Sequence, residues 1–170
     1  MTSRYVLAAV LVGLGVAMAL NSVMNGAVVE RARRDVSRTL EHLSRHVLET
    51  EESGGDLAAA LGREAQVLGI RLTLIAPDGR VLADSNVDPR RLAAVENHGS
   101  RPEILAARTS GIGFDRRLSA TVAEPFLYVA YRLDRGGNLA GYLRGAVGEN
   151  DIRGLEEPFR RRLTAVAILT

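Results

Sequence analysis

The chain has no cysteine and no lysine among its 170 residues, and only three histidines. The absence of cysteine excludes disulfides, thiolate nucleophiles and cysteine-based metal sites, and it is compatible with an extracytoplasmic location. The sequence also lacks a Gly-x-Ser-x-Gly motif, and Asp84-Ser85 has no histidine nearby in the sequence, so no nucleophile and base are assembled. We therefore expect no catalytic residue, no cofactor and no bound metal ion in this segment.

The composition is that of a folded protein. Apolar residues make up 46% of the chain, charged residues make up 25%, and the net charge is +2. A disordered chain would be less apolar, and a nucleic-acid-binding protein would carry a larger basic excess. We expect one folded domain and no nucleic-acid partner.

Two uncharged apolar runs stand at the ends of the chain, from Tyr5 to Val29 and over residues 163–170. A bilayer core of roughly 30 Å needs about 20 apolar residues in a helix. We therefore predict a cytoplasmic amino terminus and first transmembrane helix within residues 1–29, and the start of a second, truncated transmembrane helix at residues 163–170. A cleaved signal peptide is the alternative, because Ala17-Met18-Ala19 resembles a cleavage site, but the apolar run continues past it.

The arginines beside these runs bear on orientation. They are Arg31, Arg33 and Arg34 after the first run, and Arg160, Arg161 and Arg162 before the second. A literal positive-inside reading would place them in the cytoplasm, but that rule is weak for loops longer than about 60 residues. We expect a two-pass protein of the inner membrane with residues about 30–160 outside the cytoplasm, and the second arginine triplet in contact with lipid phosphates.

Residues 30–52 are predicted to continue the first membrane helix as a membrane-proximal dimerisation helix. Its apolar positions recur at spacings of three and four: Val29, Ala32, Val36, Leu40, Leu43 and Val47. Such a seam either pairs with a second copy or covers a sheet. Ser53-Gly54-Gly55 then ends the helix, and Asp56 caps a second, shorter helix.

Residues 56–148 are predicted to form the extracytoplasmic domain, because the pattern changes from helical to strand-like. Ala76-Pro77-Asp78-Gly79 is typical of a hairpin turn, and Asp88-Pro89 and Arg101-Pro102 each open a short helix. The predicted strands are Arg71–Ile75, Arg80–Ala83, Phe114–Val122, Phe126–Leu133 and Leu139–Val147. This order predicts an α+β fold: a five-stranded antiparallel sheet with the long helix on one face and a pocket under the mid-chain helices on the other. Residues 149–162 return to helix and connect to the second membrane span.

A family resemblance covers roughly residues 70–147. The residues that carry it are Pro77 to Ser85, Asp88-Pro89, Glu96-Asn97-His98, Arg101-Pro102-Glu103-Ile104, Ala107, Gly111, Gly113, Ser119 and Leu127 to Ala130. In this order they resemble the extracytoplasmic sensor domain of phosphate-regulon-type sensor histidine kinases, a PAS-like domain of the single Cache type. The resemblance implies a homodimeric input region that signals through its membrane helices to a cytoplasmic kinase and response regulator.

The kinase half of such a protein is not recognisable in this stretch. His46 lies in Ser44-Arg45-His46-Val47 and lacks the acidic neighbour of a phosphoacceptor histidine, and no glycine-rich nucleotide-binding lid occurs. We therefore expect the segment itself to be non-enzymatic and the full-length protein to be a histidine kinase. The alternatives are an anchored binding or scaffold protein of the envelope, or the sensor region of a chemoreceptor or cyclase.

His98 and Arg101 are the first candidate ligand-binding residues, because they flank a helix start at the expected pocket rim. A guanidinium and free amide groups at that point could hold a carboxylate or phosphate of a small anionic ligand. The structural alternative is that Arg101 pairs with Glu96 or Glu103, while Asn97 and His98 cap the turn. An envelope partner protein is the alternative to a small ligand.

The remaining candidates lie on the predicted strands: Ser119, Thr121, Tyr128 and Tyr131. Alternation places Ser119 and Thr121 on one face but the two tyrosines on opposite faces, so not all four can line one pocket. His42, His46 and Glu49 share a face of the long helix and could in principle bind a divalent metal, but a solvated helix face is the simpler interpretation.

Overall fold

A computed structural model describes residues 2–119 and 124–154, with side chains described over 26–119 and 124–152 and, before these, at Leu14, Gly15, Met18 and Ala19. The elements in chain order are α1 (Thr2–Glu52), α2 (Leu57–Leu68), β1 (Arg71–Ile75), β2 (Val81–Asp84), a 3-10 helix (Pro89–Ala94), α3 (Pro102–Ser110), β3 (Ile112–Leu118), β4 (Pro125–Arg135), β5 (Asn138–Gly148) and α4 (Glu149–Gly154).

The five strands form one antiparallel sheet in the order β2-β1-β5-β4-β3. The register aligns Thr73, Arg144, Ala130 and Gly113 in one row across the four strands β1, β5, β4 and β3. Because side chains alternate along a strand, this row and every second residue from it face the same side of the sheet. The predicted α+β class and five-stranded antiparallel sheet are confirmed.

The seam of α1 covers one face of this sheet. Val36, Leu40 and Val47 are buried in a core shared with the sheet, and Val29, Ala32 and Leu43 are partly buried against it. α1 packs on β4 and β5, and α2 packs on β1 and β2 beside it. Of the two predicted uses of the seam, pairing with a second copy or covering a sheet, the fold shows the second.

Among the residues that the structure describes, no helix combines the length and the apolar character needed to cross a bilayer.

The short second helix begins where the sequence predicts. The Asp56 side chain accepts a hydrogen bond of 3.0 Å from the amide of Ala59, and Gly69 adopts the left-handed conformation that closes the helix. α2 packs on β1 and β2, and its C-terminal Gly69 lies just before β1. The end of the helix therefore sets where β1 begins.

Strand ends differ from the predictions at several points. The strand predicted over Phe114–Val122 spans Ile112–Leu118, because Ile112 already pairs with Tyr131 of the neighbouring strand. β4 extends beyond Phe126–Leu133 at both ends. The helix expected over residues 149–162 is described only as α4, and the second membrane span at 163–170, with Arg160 to Arg162, lies outside the described residues.

Candidate functional site

The face of the sheet opposite α1 carries α3 and a second, small apolar cluster. Ile75, Ile104, Ala107, Ala130 and Tyr142 form this cluster. The rest of the face is polar, because alternation points Arg71 and Thr73 of β1 and Arg144 of β5 toward α3 while Leu72 and Leu74 point toward α1. The mid-chain helix therefore covers a set of charged groups.

Asp84, at the end of β2, is the first buried carboxylate of this face, and its partners are close. Arg71 donates from Nε to Oδ1 of Asp84 at 2.9 Å, and the Thr73 hydroxyl donates to Oδ2 at 2.7 Å. The Asn86 amide adds a third donor at 2.9 Å. Asp84 is thus a satisfied carboxylate that joins β1 to β2.

Glu103, in the first turn of α3, is the second buried carboxylate. Arg117 of β3 binds it in bidentate fashion, with Nη1 and Nη2 at 2.7 and 3.1 Å from the two carboxylate oxygens. Arg117 also contacts Asp115 and lies over the Tyr128 ring, 3.9 Å from its centroid. Burial acts to lower the pKa of Arg117, but the hydrogen bonds to Glu103 and Asp115 outweigh it and raise that pKa above the ordinary arginine value.

Close packing of α3 on β3 makes this pair possible. A Cβ atom at Gly113 would overlap the Glu103 carbonyl oxygen and the Ala107 amide nitrogen. Glycine at this position therefore lets the helix backbone rest directly on the strand, which brings Glu103 under the sheet face.

Arg144 is the third arginine of this face and the least satisfied. Its side chain is 4% exposed, yet its nearest acceptors are Glu103 Oε1, 3.5 Å from Nη1, and Thr73 Oγ1, 3.3 Å from Nη2. Its Nε has no hydrogen-bond partner among the described residues. A guanidinium has five donor hydrogens, so most of this group's capacity is unused. Burial lowers the pKa of Arg144, and the attraction of Glu103 only partly opposes that effect.

His98 lies on the loop before α3 and is also incompletely paired. Its backbone amide donates to the Gly79 carbonyl at 2.8 Å, and Asn97 Nδ2 donates to the Asp78 carbonyl at 3.0 Å, so the hairpin turn fixes this loop. His98 is 7% exposed, and its Nδ1 has no hydrogen-bond partner in the described part of the chain. Burial, followed by the positive charges of Arg144 and Arg101, lowers the pKa of His98 to about 4, so the imidazole is neutral at neutral pH.

Arg101, predicted beside His98 as a ligand contact, occupies the rim. Its Nη2 lies 2.7 Å from Glu96 Oε2, which is the pairing proposed as the structural alternative. The Arg101 side chain is half-buried, and it opens α3 without capping it. A ligand contact by Arg101 stays a prediction.

The four strand candidates are dispersed. Tyr128 lies on the α3 face beneath Arg117, whereas Tyr131 lies on the opposite face against the α1 core. Ser119 is half-buried beyond the end of β3, where its amide donates to the Glu124 carbonyl at 2.8 Å. Thr121 lies outside the described residues. Among the candidates that the structure describes, Tyr128 lies beside Arg144, whose guanidinium carbon is 5.5 Å from the ring centroid, and His98 is close enough for the charge of Arg144 to act on it.

The helix face with His42, His46 and Glu49 is exposed. Within the described ranges, no group of three or more histidine, aspartate or glutamate side chains is arranged to hold a metal ion.

Sequence reasoning missed the centre of this site. Arg144, Glu103, Arg117, Thr73 and Asp84 were not singled out as site residues. The available signal was Arg144, a single charge in the middle of an otherwise apolar predicted strand. An isolated charge at a buried strand position indicates either a partner or a ligand.

Solved structures share this fold. The ligand-binding domain of the Campylobacter jejuni chemoreceptor Tlp3, in complex with 4-methylisoleucine, superposes with a TM-score of 0.59 at 15% identity, covering 78% of this chain and 57% of that chain. The sensor domain of the V. cholerae histidine kinase DctB superposes with a TM-score of 0.56 at 16% identity, covering 78% of this chain and 58% of that chain. The ligand-binding domain of the Pseudomonas aeruginosa PAO1 amino acid chemoreceptor PctB, in complex with L-Gln, superposes with a TM-score of 0.55 at 19% identity, covering 76% of this chain and 53% of that chain.

The chain therefore has the same fold as these ligand-binding and sensor domains. The chain spans somewhat over half the length of the structures that it resembles. No protein-family model and no curated protein sequence matches it.

Proposed function

We propose that this chain is the extracytoplasmic signal-sensing region of a membrane-bound receptor, and that it binds a small anionic ligand between α3 and the sheet. The observation that carries the proposal is Arg144, a buried guanidinium with unused donors on the polar face of a sensor-domain fold. A structural arginine would be expected to have close partners, as Arg71 and Arg117 do on the same face.

Membrane anchoring is the second part of the proposal. Its support is the sequence, in which no charge occurs between Arg4 and Glu30 and a second apolar run begins at Leu163. We propose a two-pass arrangement in the inner membrane, with residues about 30–160 outside the cytoplasm.

Single-cysteine labelling tests this arrangement cleanly, because the chain has no cysteine of its own. Arg90 is exposed in the 3-10 helix. Arg90→Cys should therefore react with a membrane-impermeant maleimide in cells whose outer layer is permeabilised but whose inner membrane is intact. The matched control is Ser3→Cys before the first apolar run, which should react only after the inner membrane is broken. Labelling of Ser3→Cys but not of Arg90→Cys in intact cells would overturn the proposed orientation.

The output we propose is a phosphate-regulon-type histidine kinase acting as a homodimer on a cytoplasmic response regulator. The support is the residue pattern from Pro77 to Ala130 described above, together with a fold shared with the DctB sensor domain. Chemoreceptor domains share the same fold, so a chemoreceptor output is the second candidate.

Autophosphorylation of the native gene product in membrane vesicles separates these outputs. A histidine kinase should take up phosphate from ATP in an acid-labile, alkali-stable form, as phosphohistidine does. Absence of such phosphate from an intact, ATP-supplied native product would overturn the kinase assignment while leaving the sensor proposal standing.

A further inference from the structure

The edge strand β3 carries exposed apolar side chains on the face of the sheet that α1 covers elsewhere. Alternation places Phe114, Arg116 and Leu118 on this face, but α1 packs mainly on β4 and β5. Phe114 is 53% exposed and Leu118 is 68% exposed. Arg33 of α1 covers Phe114 only in part, with its guanidinium carbon 4.6 Å from the ring centroid. Phe114 and Leu118 therefore form an exposed apolar patch, here called the β3 edge patch.

The turn that follows β3 is also poor in polar residues. Residues 119–123 read Ser-Ala-Thr-Val-Ala and contain no charged residue. Turns that face water usually contain glycine, proline, asparagine or aspartate. The Ser119 amide donates to the Glu124 carbonyl at 2.8 Å, so the base of this turn lies directly beside Leu118. An uncharged turn next to an exposed leucine favours contact with a surface less polar than water.

The strand register shows which part of α1 lies level with the patch. Phe114 pairs with Val129, and Val129 pairs with Gly145, so the three residues lie in one row across the sheet. A Cβ atom at Gly145 would touch Val36 and Leu40 of α1. The row that contains Phe114 is therefore level with about residue 38 of the helix.

α1 and β5 run in roughly opposite directions. Arg135 pairs with Asn138 at the start of β5, and it also binds Glu51 near the end of α1, 2.8 Å away. The end of β5 consequently points toward the beginning of α1. β3 runs parallel to β5, because both are antiparallel to β4, so the end of β3 points the same way.

Leu118 lies at this end of the domain. It follows Phe114 by four residues of β3, which is about 13 Å at roughly 3.3 Å per residue. The same length corresponds to about nine residues of α-helix at 1.5 Å per residue. Counted back from about residue 38, Leu118 is level with the region of Val29, where the first apolar run ends.

Resting on the membrane anchoring in the proposed function, we propose that the β3 edge patch docks on the outer surface of the inner membrane, with Leu118 inserted among the lipid headgroups. Peripheral protein segments bury apolar side chains at this boundary in the same way. Arg31 lies just past the apolar run, its side chain is 65% exposed, and its contact with Asp35 is 4.0 Å long. Its guanidinium is therefore available to a lipid phosphate beside the patch.

Tryptophan fluorescence tests this inference, because the chain has no tryptophan of its own. The variant is Leu118→Trp in the 170-residue chain, held as single copies in nanodiscs of phosphatidylethanolamine and phosphatidylglycerol. Its emission should shift to shorter wavelength than that of an exposed tryptophan, since the indole enters the interface. Its intensity should fall when the lipids are brominated near the headgroup end of the acyl chain. An unchanged intensity would contradict docking.

The matched control is Leu82→Trp, which also replaces an exposed leucine of an edge strand. Leu82 is level with Tyr142 and Leu143, which places it roughly 20 Å farther from the proposed membrane surface along the strands. Its emission should not respond to brominated lipids. Equal quenching of Leu82→Trp and Leu118→Trp would overturn the inference, because it would show no preferred docking surface.

Leu14→Trp separates the inference from the anchoring on which it rests. Leu14 lies within the first apolar run, so a tryptophan there should be quenched by lipids brominated farther down the chain if that run crosses the bilayer. Quenching of Leu14→Trp without quenching of Leu118→Trp would overturn the inference and leave the anchoring intact. A Leu118→Trp emission that is shifted but not quenched would mean that a protein surface, such as a second copy, covers the patch, and would also overturn it. No quenching at either position would overturn both proposals.

Discussion

The two faces of the sheet are made from alternate residues of the same strands, yet they are built on different principles. The α1 face is a continuous apolar core that includes Leu40, Leu72, Leu143 and Val147. The α3 face carries a set of ion pairs around a small apolar cluster, and it buries the charged side chains of Arg144, Asp84 and Glu103. Fully burying a leucine contributes roughly 1.5–3 kcal/mol, whereas a buried ion pair is often neutral or unfavourable compared with apolar residues. The difference teaches that the α1 face supplies stability, whereas the α3 face holds charged groups in place at a cost in folding free energy.

The largest effect should come from the apolar face. Leu40 is fully buried where α1 meets the sheet, so Leu40→Ala should lower the free energy of unfolding by roughly 3–5 kcal/mol through lost burial and a residual cavity. Chemical denaturation measures it. Leu118→Ala removes the same atoms from a side chain that is 68% exposed and should change stability by less than about 1 kcal/mol. Equal losses in the two variants would contradict the assignment of the core.

Breaking the buried charge pair should come next. Glu103→Gln removes the charge that faces Arg117 and Arg144 and should cost roughly 3 kcal/mol, because the buried Arg144 loses its nearest counter-charge while Arg117 keeps only Asp115. The matched control is Glu96→Gln, which breaks the exposed Glu96–Arg101 pair and should cost at most about 1 kcal/mol. A small effect of Glu103→Gln would mean that the α3 face tolerates uncompensated charge better than its burial indicates.

Acid should destabilise the α3 face through His98. Burial, Arg144 and Arg101 lower its folded-state pKa to about 4, below the ordinary 6.5, so between these values the unfolded chain binds the extra proton. The stabilisation is present above about pH 6.5 and is lost as the pH falls toward 4. Lowering the pH from about 7 to about 5 should cost on the order of 2 kcal/mol.

The comparison that isolates this effect is His98→Gln, which cannot titrate and should show a flatter dependence of unfolding free energy on pH. His46→Gln changes an exposed histidine of α1 and should keep the wild-type slope. Identical slopes in the wild type and His98→Gln would contradict the lowered pKa.

The smallest effect should come from glycines, which differ in whether a Cβ atom would have room. Gly113→Ala should destabilise the protein by about 1–2 kcal/mol, because its Cβ would meet the α3 backbone. Gly62→Ala lies in α2 with open space around it and should stabilise the protein by about 0.5–1 kcal/mol through better helix propensity. Differential scanning calorimetry of the two variants should show changes in stability of opposite sign. A stabilising Gly113→Ala would show that α3 packs less closely on β3 than the structure indicates.

Local sequence signals predicted the fold well where they act over short distances. The Pro77-Asp78-Gly79 turn, the Asp56 cap and the three-four spacing from Val29 to Val47 each depend on residues within a few turns of one another, and the structure shows all of them. The same alternation separated Tyr128 from Tyr131 correctly.

The candidate site was predicted only at its edge. His98 was chosen for its place before a helix, and it does lie in the buried polar cluster, but Arg101 next to it pairs with Glu96 at the rim. Arg144 could be read only as a charge in an apolar strand, since Thr73 and Glu103 are 71 and 41 residues away in the chain.

The sequence by itself determined the order of helices and strands, the caps and turns between them, and the apolar seam of α1, because each follows from side-chain periodicity and backbone preference within one segment. Tertiary structure alone decided that the seam covers the sheet, which carboxylate each arginine of the α3 face binds, and that Arg144 and His98 keep unused hydrogen-bonding atoms. Those outcomes depend on strand register and on the close approach of α3 at Gly113, which bring distant residues together in a buried environment where an unpaired polar group is costly.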